Sequence, residues 1–294
     1  MKFNAILAGA LPLAALASAS PAQDPQAAAA RRVIELQAQQ YQTNIPNSIK
    51  NNPKPKCTPE KLIRRKEWGA TSKKERLSYA NAVTRLANKP ARSDVSIVPG
   101  ARSRYDDFVA LHLLKAPFVH GNGRFLGFYR AYVHVNEQAL RDECGHAGGG
   151  LAYNSRCLKR DLSPYYSAFS RPTNVTHALG RYYGVQRRHG PPDRRHPQRG
   201  PFQVGGIMYD TSASSSDSIF FAHHAQIDRV WAIWQGQDPS RRTSQLWGTE
   251  TVGNDPPSAN VTMQTPIELG VLGADMKLGD VLSTVSGPFC YICV

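Results

Sequence analysis

Two histidines eight residues apart, His112 and His120, precede a stretch reading Phe125-Leu126-Gly-Phe128-Tyr129-Arg130, and a further pair, His223-His224, stands about a hundred residues on. Imidazole is a good donor to copper, and a copper ion that changes oxidation state and meets dioxygen needs several neutral nitrogen donors with one coordination position open. Histidines projecting inward from facing helices can supply such a set at one interior point. His112 on one helix and His120 on the loop after it can both reach a metal held against the next helix. The third donor should then come from that next helix, close to Phe128.

The elements that must position these groups are legible in outline. Ser72-Lys-Lys-Glu75 reads as a capping box, and Leu77, Ala80, Val83 and Leu86 recur at helical spacing until Pro90. A second helix is predicted from Tyr105 to about Lys115, with Phe108 and His112 on one face and Pro117 ending it. A third is predicted from Phe125 to about Asp142 and a fourth from near Ser218 to Trp234, the last with a strongly apolar side formed by Phe220, Phe221, His224, Ile227, Trp231 and Trp234. Beyond it, Pro- and Gly-rich sequence predicts loops, short strands and a helical turn near Val281.

Here the residues resemble a known family. His120, Phe125-Leu126, Phe128, Arg130, Val133 and Glu137 are similar in identity and spacing to the first copper signature of tyrosinases and catechol oxidases, with Tyr129 in a histidine's place. Asp217-Ser218-Ile-Phe220-Phe221-Ala-His223-His224-Ala-Gln-Ile-Asp228 resembles the second signature, with Ser218 replacing a proline. Arg104-Tyr105-Asp106-Asp107-Phe108 and Leu140-Arg141-Asp142-Glu143-Cys144-Gly145 look like fungal members, and the likeness extends from about Cys57 to the end.

The resemblance implies a mainly α fold, a four-helix-bundle core with long irregular loops, around a binuclear type-3 copper centre. It implies oxidation of a phenolic small molecule or a tyrosine-containing peptide by dioxygen, to a catechol or an o-quinone, in fungi including secondary-metabolite pathways. Carried over position by position, His112 and His120 match ligands of the first copper and Tyr129 stands where its third ligand should be. His224 matches the helix ligand of the second copper, while the adjacent His223 points roughly 100° away on a helix. The remaining second-copper pair has decayed: His196 stands one residue too early, and its partner is replaced within Arg199-Gly-Pro201. Tyr129 reads either as a core aromatic with its hydroxyl bonded or as a phenolate ligand. Asp228 either orients an imidazole from behind or pairs with an arginine such as Arg229 or another nearby. His177 and His189 read as surface histidines.

Composition bounds the rest. The formal charge of +14 gathers in Arg181 to Arg199, which holds six arginines and one aspartate among prolines and glycines. A Pro/Gly-rich loop is not a groove-reading helix, so a nucleic-acid partner is not expected. Residues 1–22 read as a secretory signal, with Lys2, an Ala/Leu run and Ala17-Ser18-Ala19, and no later segment is apolar enough to span a membrane. Residues 23–56 read as a peripheral helix followed by a linker from Ile45 to Pro59, or as a removable pro-segment, and 57–294 as the copper domain. An exported chain can form disulfides: Cys144 with Cys157 locally and Cys57 with Cys290 across the domain, leaving one thiol. Cys290 and Cys293 form a C-x-x-C spacing without the βαβ context of a redox motif. Asn174 and Asn260 stand in glycosylation sequons.

Two further readings follow. One is a secreted protein of this fold without oxidase activity. The other is a shifted reading frame or splice error across residues 181–201, which departs from the family while its flanks agree.

Overall fold

The computed structural model describes residues 25–50, 57–146, 172–177 and 206–294. The signal segment, Cys157, His189, His196 and the arginine-rich run lie outside them.

Four helices make the core: α2 (Lys73–Ala87), α3 (Arg104–Val119), α4 (Phe125–Gln138) and, after the short α5 (Pro172–His177), α6 (Ile219–Gly236). Ser72 and Glu75 close the capping box at the start of α2, and Ser103 with Asp106 does the same for α3. Helix α4 continues into a π-helical turn, Ala139–Glu143, and packs against α6 and α3. Phe108, Phe128, Tyr132, Phe220 and Phe221 fill the space between these helices. Helix α3 runs through Pro117 to Val119 instead of stopping before it. The carbonyl that Pro117 cannot serve belongs to Leu113, which sits on an exposed face where water can reach it.

Helix α1 (Pro25–Lys50) corrects the expected linker, because the stretch from Ile45 to Lys50 is helical across Pro46. Tyr41, Ile45 and Ile49 recur every four residues on its buried face and join Ile233 and Trp234 of α6 in a second core. Gly236 allows the contact: a Cβ there would stand 2.7 Å from that of Tyr41. The Tyr41 hydroxyl also reaches Thr284 Oγ1 at 3.0 Å, so α1 is bonded to the body of the fold.

After α6 come a one-turn helix, α7 (Pro239–Arg242), and loops carrying an antiparallel pair, β2 (Pro266–Ile267) with β3 (Met276–Lys277). A 3-10 turn covers Leu278–Val281. The last strand, β4 (Tyr291–Cys293), lies parallel to β1 (Ile63–Arg65), and a Cys57–Cys290 disulfide closes the same junction. The expected Cys144–Cys157 bridge falls on Cys157, outside the described residues; Cys144 is a free thiol, buried in the core just past the π turn. Cys293 is also free and buried, and burial pushes its thiol up to about 12, so C-x-x-C here is not a reactive pair. Asn260 is exposed, as a glycan would need, and Asn174 lies within α5. Among the described residues no helix is long and apolar enough to cross a membrane.

Where β1, β4, α4 and α6 meet, a charged network is fully buried. Arg65 bonds Glu137 at 2.8 Å and Asp228 at 2.9 Å, and Arg130 bonds Asp228 at 2.6 Å. Arg130 also donates to the carbonyls of Val281 and Leu282, and the Tyr291 hydroxyl donates to Asp228. Two guanidinium groups face two carboxylates, and the guanidiniums stack on Tyr291 and Trp231 at 3.6 and 3.7 Å.

Candidate metal centre

His112 sits one turn after Phe108 on α3 and is wholly buried. Its Nδ1 lies 2.8 Å from the Ser212 carbonyl. A carbonyl only accepts, so Nδ1 carries the proton and Nε2 of the neutral ring is left as a lone pair. His120 caps the C-terminus of α3, and Gly121 beyond it adopts a φ of 62°, which lets the chain turn towards α4. His120 Nδ1 lies 2.7 Å from the Ala116 carbonyl, so its Nε2 is likewise an acceptor.

Both Nε2 atoms point at one oxygen. The Tyr129 hydroxyl lies 2.7 Å from His112 Nε2 and 2.7 Å from His120 Nε2. The sequence placed Tyr129 in a ligand's position, and the structure places its hydroxyl between the two imidazoles. Its ring stacks on that of His224 from α6, with centroids 3.7 Å apart and planes 12° from parallel. Phe220, one turn before His224, and Phe125 complete an aromatic wall. Burial keeps all four groups neutral near pH 7. It lowers His112 to about 4, lowers His120, takes His224 well below its ordinary value together with the neighbouring imidazoles, and raises the Tyr129 phenol well above its own.

His112, His120 and His224 therefore do converge, on Tyr129. His223 turns aside, its Nε2 buried without a partner and burial lowering it to about 4. Asp228 is a correction: it lies 2.6 to 2.9 Å from the guanidiniums of Arg130 and Arg65 and orients no imidazole. The His224 Nδ1 beside it in the helix has no hydrogen-bond partner. Arg65 and Tyr291 were not visible from sequence as parts of this region. The one available signal was the demand that two buried carboxylates, Glu137 and Asp228, make for cations.

The described residues do not fit a centre of two coppers. The first copper's third imidazole is a phenol bonded to the other two, and the second copper has His224 alone. Among the described residues no three His, Cys, Asp or Glu side chains gather as a metal site.

A family model described as the common central domain of tyrosinase matches residues 102–155 and 146–237. The chain is 27% identical to Tyrosinase P of Aspergillus terreus, over 81% of this chain and 93% of that protein. It is 26% identical to the N-acetyl-6-hydroxytryptophan oxidase of Emericella nidulans, over 80% and 93%. These alignments run to 334 and 340 positions against a chain of 294 residues, so both relatives hold stretches with no counterpart here. Among solved structures, a polyphenol oxidase variant from Thermothelomyces thermophila superposes with a TM-score of 0.71 at 28% identity, covering 92% of this chain and 96% of that one. Latent apple tyrosinase, at 15% identity and a TM-score of 0.53, shares the fold. Together these matches support a fungal tyrosinase-like family for the chain.

Proposed function

We propose that this chain is a secreted tyrosinase-like protein of the phenol-oxidising class whose copper site is depleted, so that it oxidises catechols weakly or not at all. The observation that carries this reading is the Tyr129 hydroxyl, 2.7 Å from both His112 Nε2 and His120 Nε2, where a third neutral nitrogen donor is needed. Oxygen bridging requires two metals with matched donor sets, and the described residues supply two imidazoles to one and a single imidazole to the other. The ligand class remains that of the family, a phenol or a tyrosine in a peptide.

Measuring copper per purified chain together with catechol-dependent oxygen uptake tests it. At most one copper and no uptake above background is expected. Two coppers with turnover would sink the reading.

A second reading is favoured by one observation. The relatives' alignments exceed this chain's length, and residues 181–201 lack the His-x-x-x-His spacing of the second-copper loop. The natural protein then carries an intact second-copper loop, and the nucleotide sequence across that run decides by restoring or not restoring the missing His-x-x-x-His. Tyr129 would be untouched by such a repair.

A further inference from the structure

Val95 and Ile97 are the most exposed large apolar side chains among the described residues, at 69% and 65%. Both stand on the segment that links α2 to α3. Its two ends meet at a neck, where Pro90 bridges Ser103, the Arg104 N–H donates to the Lys89 carbonyl and the Ala91 N–H to that of Arg102. Residues 91–102 therefore leave and rejoin the fold at one place, as a finger. Asp107, buried in the first turn of α3, accepts the N–H groups of Arg92 and Ser93 and fixes the base. At the tip, the Asp94 carbonyl accepts from Ile97 and Val98, and its carboxylate accepts from Ser96. Held in this way, the finger presents Val95 and Ile97 to water instead of folding them inward.

The charge beside the finger is mostly of one sign. From Lys73 to Arg102 the chain holds seven basic residues and two acidic ones. Both acids are engaged, Glu75 with Lys66 and Asp94 with Ser96, and Arg92 shares Glu143 with Arg104. Lys73, Lys74 and Arg85 on α2, and Arg102 on the finger, are exposed. We propose that the finger and the solvent face of α2 form a docking surface for an anionic phospholipid bilayer, with Val95 and Ile97 entering the headgroup layer and the basic side chains lying against its phosphates. Apolar insertion and cationic attraction are each weak alone, and together they hold a peripheral protein. Two aliphatic side chains on a protruding tip offer far less than the ~800 Å² per partner of a stable protein interface, whereas a bilayer closes around a tip of any shape. A soluble polyanion would use the cations but leave Val95 and Ile97 in water. The finger joins α3 at Ser103 and His120 caps the other end, roughly 24 Å away, so docking leaves the histidine cluster clear of the bilayer.

The test sediments the full-length chain with phosphatidylcholine vesicles, with and without phosphatidylserine. Sedimentation with the anionic vesicles alone is expected. Val95→Asp with Ile97→Asp should weaken it at least ~10-fold, and Arg102→Ala about 5-fold. Both lie on exposed positions, so the urea midpoint should stay put. Ile97→Trp keeps the tip apolar and should shift its emission to shorter wavelength on the anionic vesicles. Failure to sediment with them, undiminished sedimentation of the double aspartate variant, or an unshifted emission overturns the docking surface. Sedimentation that the aspartates leave intact would assign binding to charge alone. None of these outcomes touches the depleted-site reading, which rests on other residues.

Discussion

Two buried polar clusters stand side by side between α4 and α6, and they are opposites in how well they are satisfied. The network of Arg65, Arg130, Glu137 and Asp228 matches two cations to two anions, with short bonds to each. The cluster of His112, His120 and Tyr129 has more acceptors than protons. Both draw on the same signature stretches, since Arg130 and Glu137 share α4 with Tyr129, and Asp228 follows His224 by one turn. What looks like a single copper signature is therefore two devices. One fastens helices and strands together, the other occupies the family's metal-ligand positions, and the second can be altered while the first stays whole. This explains how the chain has the family's fold while its described residues do not fit the family's metal centre.

The sharpest way to break the contrast is to open the network. Arg65→Ala takes away the two-pronged guanidinium bond to Glu137, whose contact to Arg141 is longer at 3.7 Å, and it leaves Asp228 with Arg130 and Tyr291. Removing one partner of a buried ion pair costs about 3–5 kcal/mol. Against a total stability of about 5–15 kcal/mol, the urea midpoint followed by circular dichroism should fall steeply. An unchanged midpoint would mean that the network fastens nothing.

A smaller effect is expected from His134, which lies on α4 between the two clusters. It is buried, both ring nitrogens lack partners, and its edge packs on Phe289. Burial lowers it from the ordinary 6.5 to about 4, so the folded chain holds it neutral while the unfolded chain takes up a proton. Between those values the unfolded state binds more protons, and stability falls as pH drops from about 6.5 to about 4, by on the order of 3 kcal/mol from this group. His134→Leu should remove that part of the acid loss and change little at pH 7. Urea titrations of both proteins at pH 7 and pH 4.5 check it, and equal acid losses would count against it.

How far the sequence reveals these clusters follows from distance along the chain. The helices of the core were readable because their signals are local: the Ser72–Glu75 cap, the spacing of Phe108 and His112, the apolar face of α6. Tyr129 was readable because one residue type stood where another belongs. Arg65 and Tyr291 were not, since they reach Asp228 from 163 and 63 residues away and nothing in their own neighbourhoods marks them. That Asp228 pairs with an arginine is legible, but which one is not: Arg229 is turned roughly 100° from it on the helix, and Arg65 and Arg130 take the place. Helix α1 is longer than its sequence suggests, because the prolines, asparagines and lysines from Ile45 to Pro59 read as a linker. Yet Ile45 and Ile49 hold its last turns against α6, and tertiary burial outweighed local propensity.

The mildest change tests the comparison most directly. In metal-free protein, Tyr129→Phe removes one hydroxyl from the unsatisfied cluster and leaves the ring where it stacks on His224. It takes away a single donated hydrogen bond, a contribution of about 1 kcal/mol. It also takes away the lone-pair contact on the other arm, which is unfavourable. The two changes oppose each other, so the net loss should be under about 1 kcal/mol, several-fold less than for Arg65→Ala, although both groups removed are buried. The urea midpoint of the metal-free variant reads this directly. A loss as large as that of Arg65→Ala would mean that both arms at Tyr129 are satisfied hydrogen bonds, and that one imidazole carries a second proton.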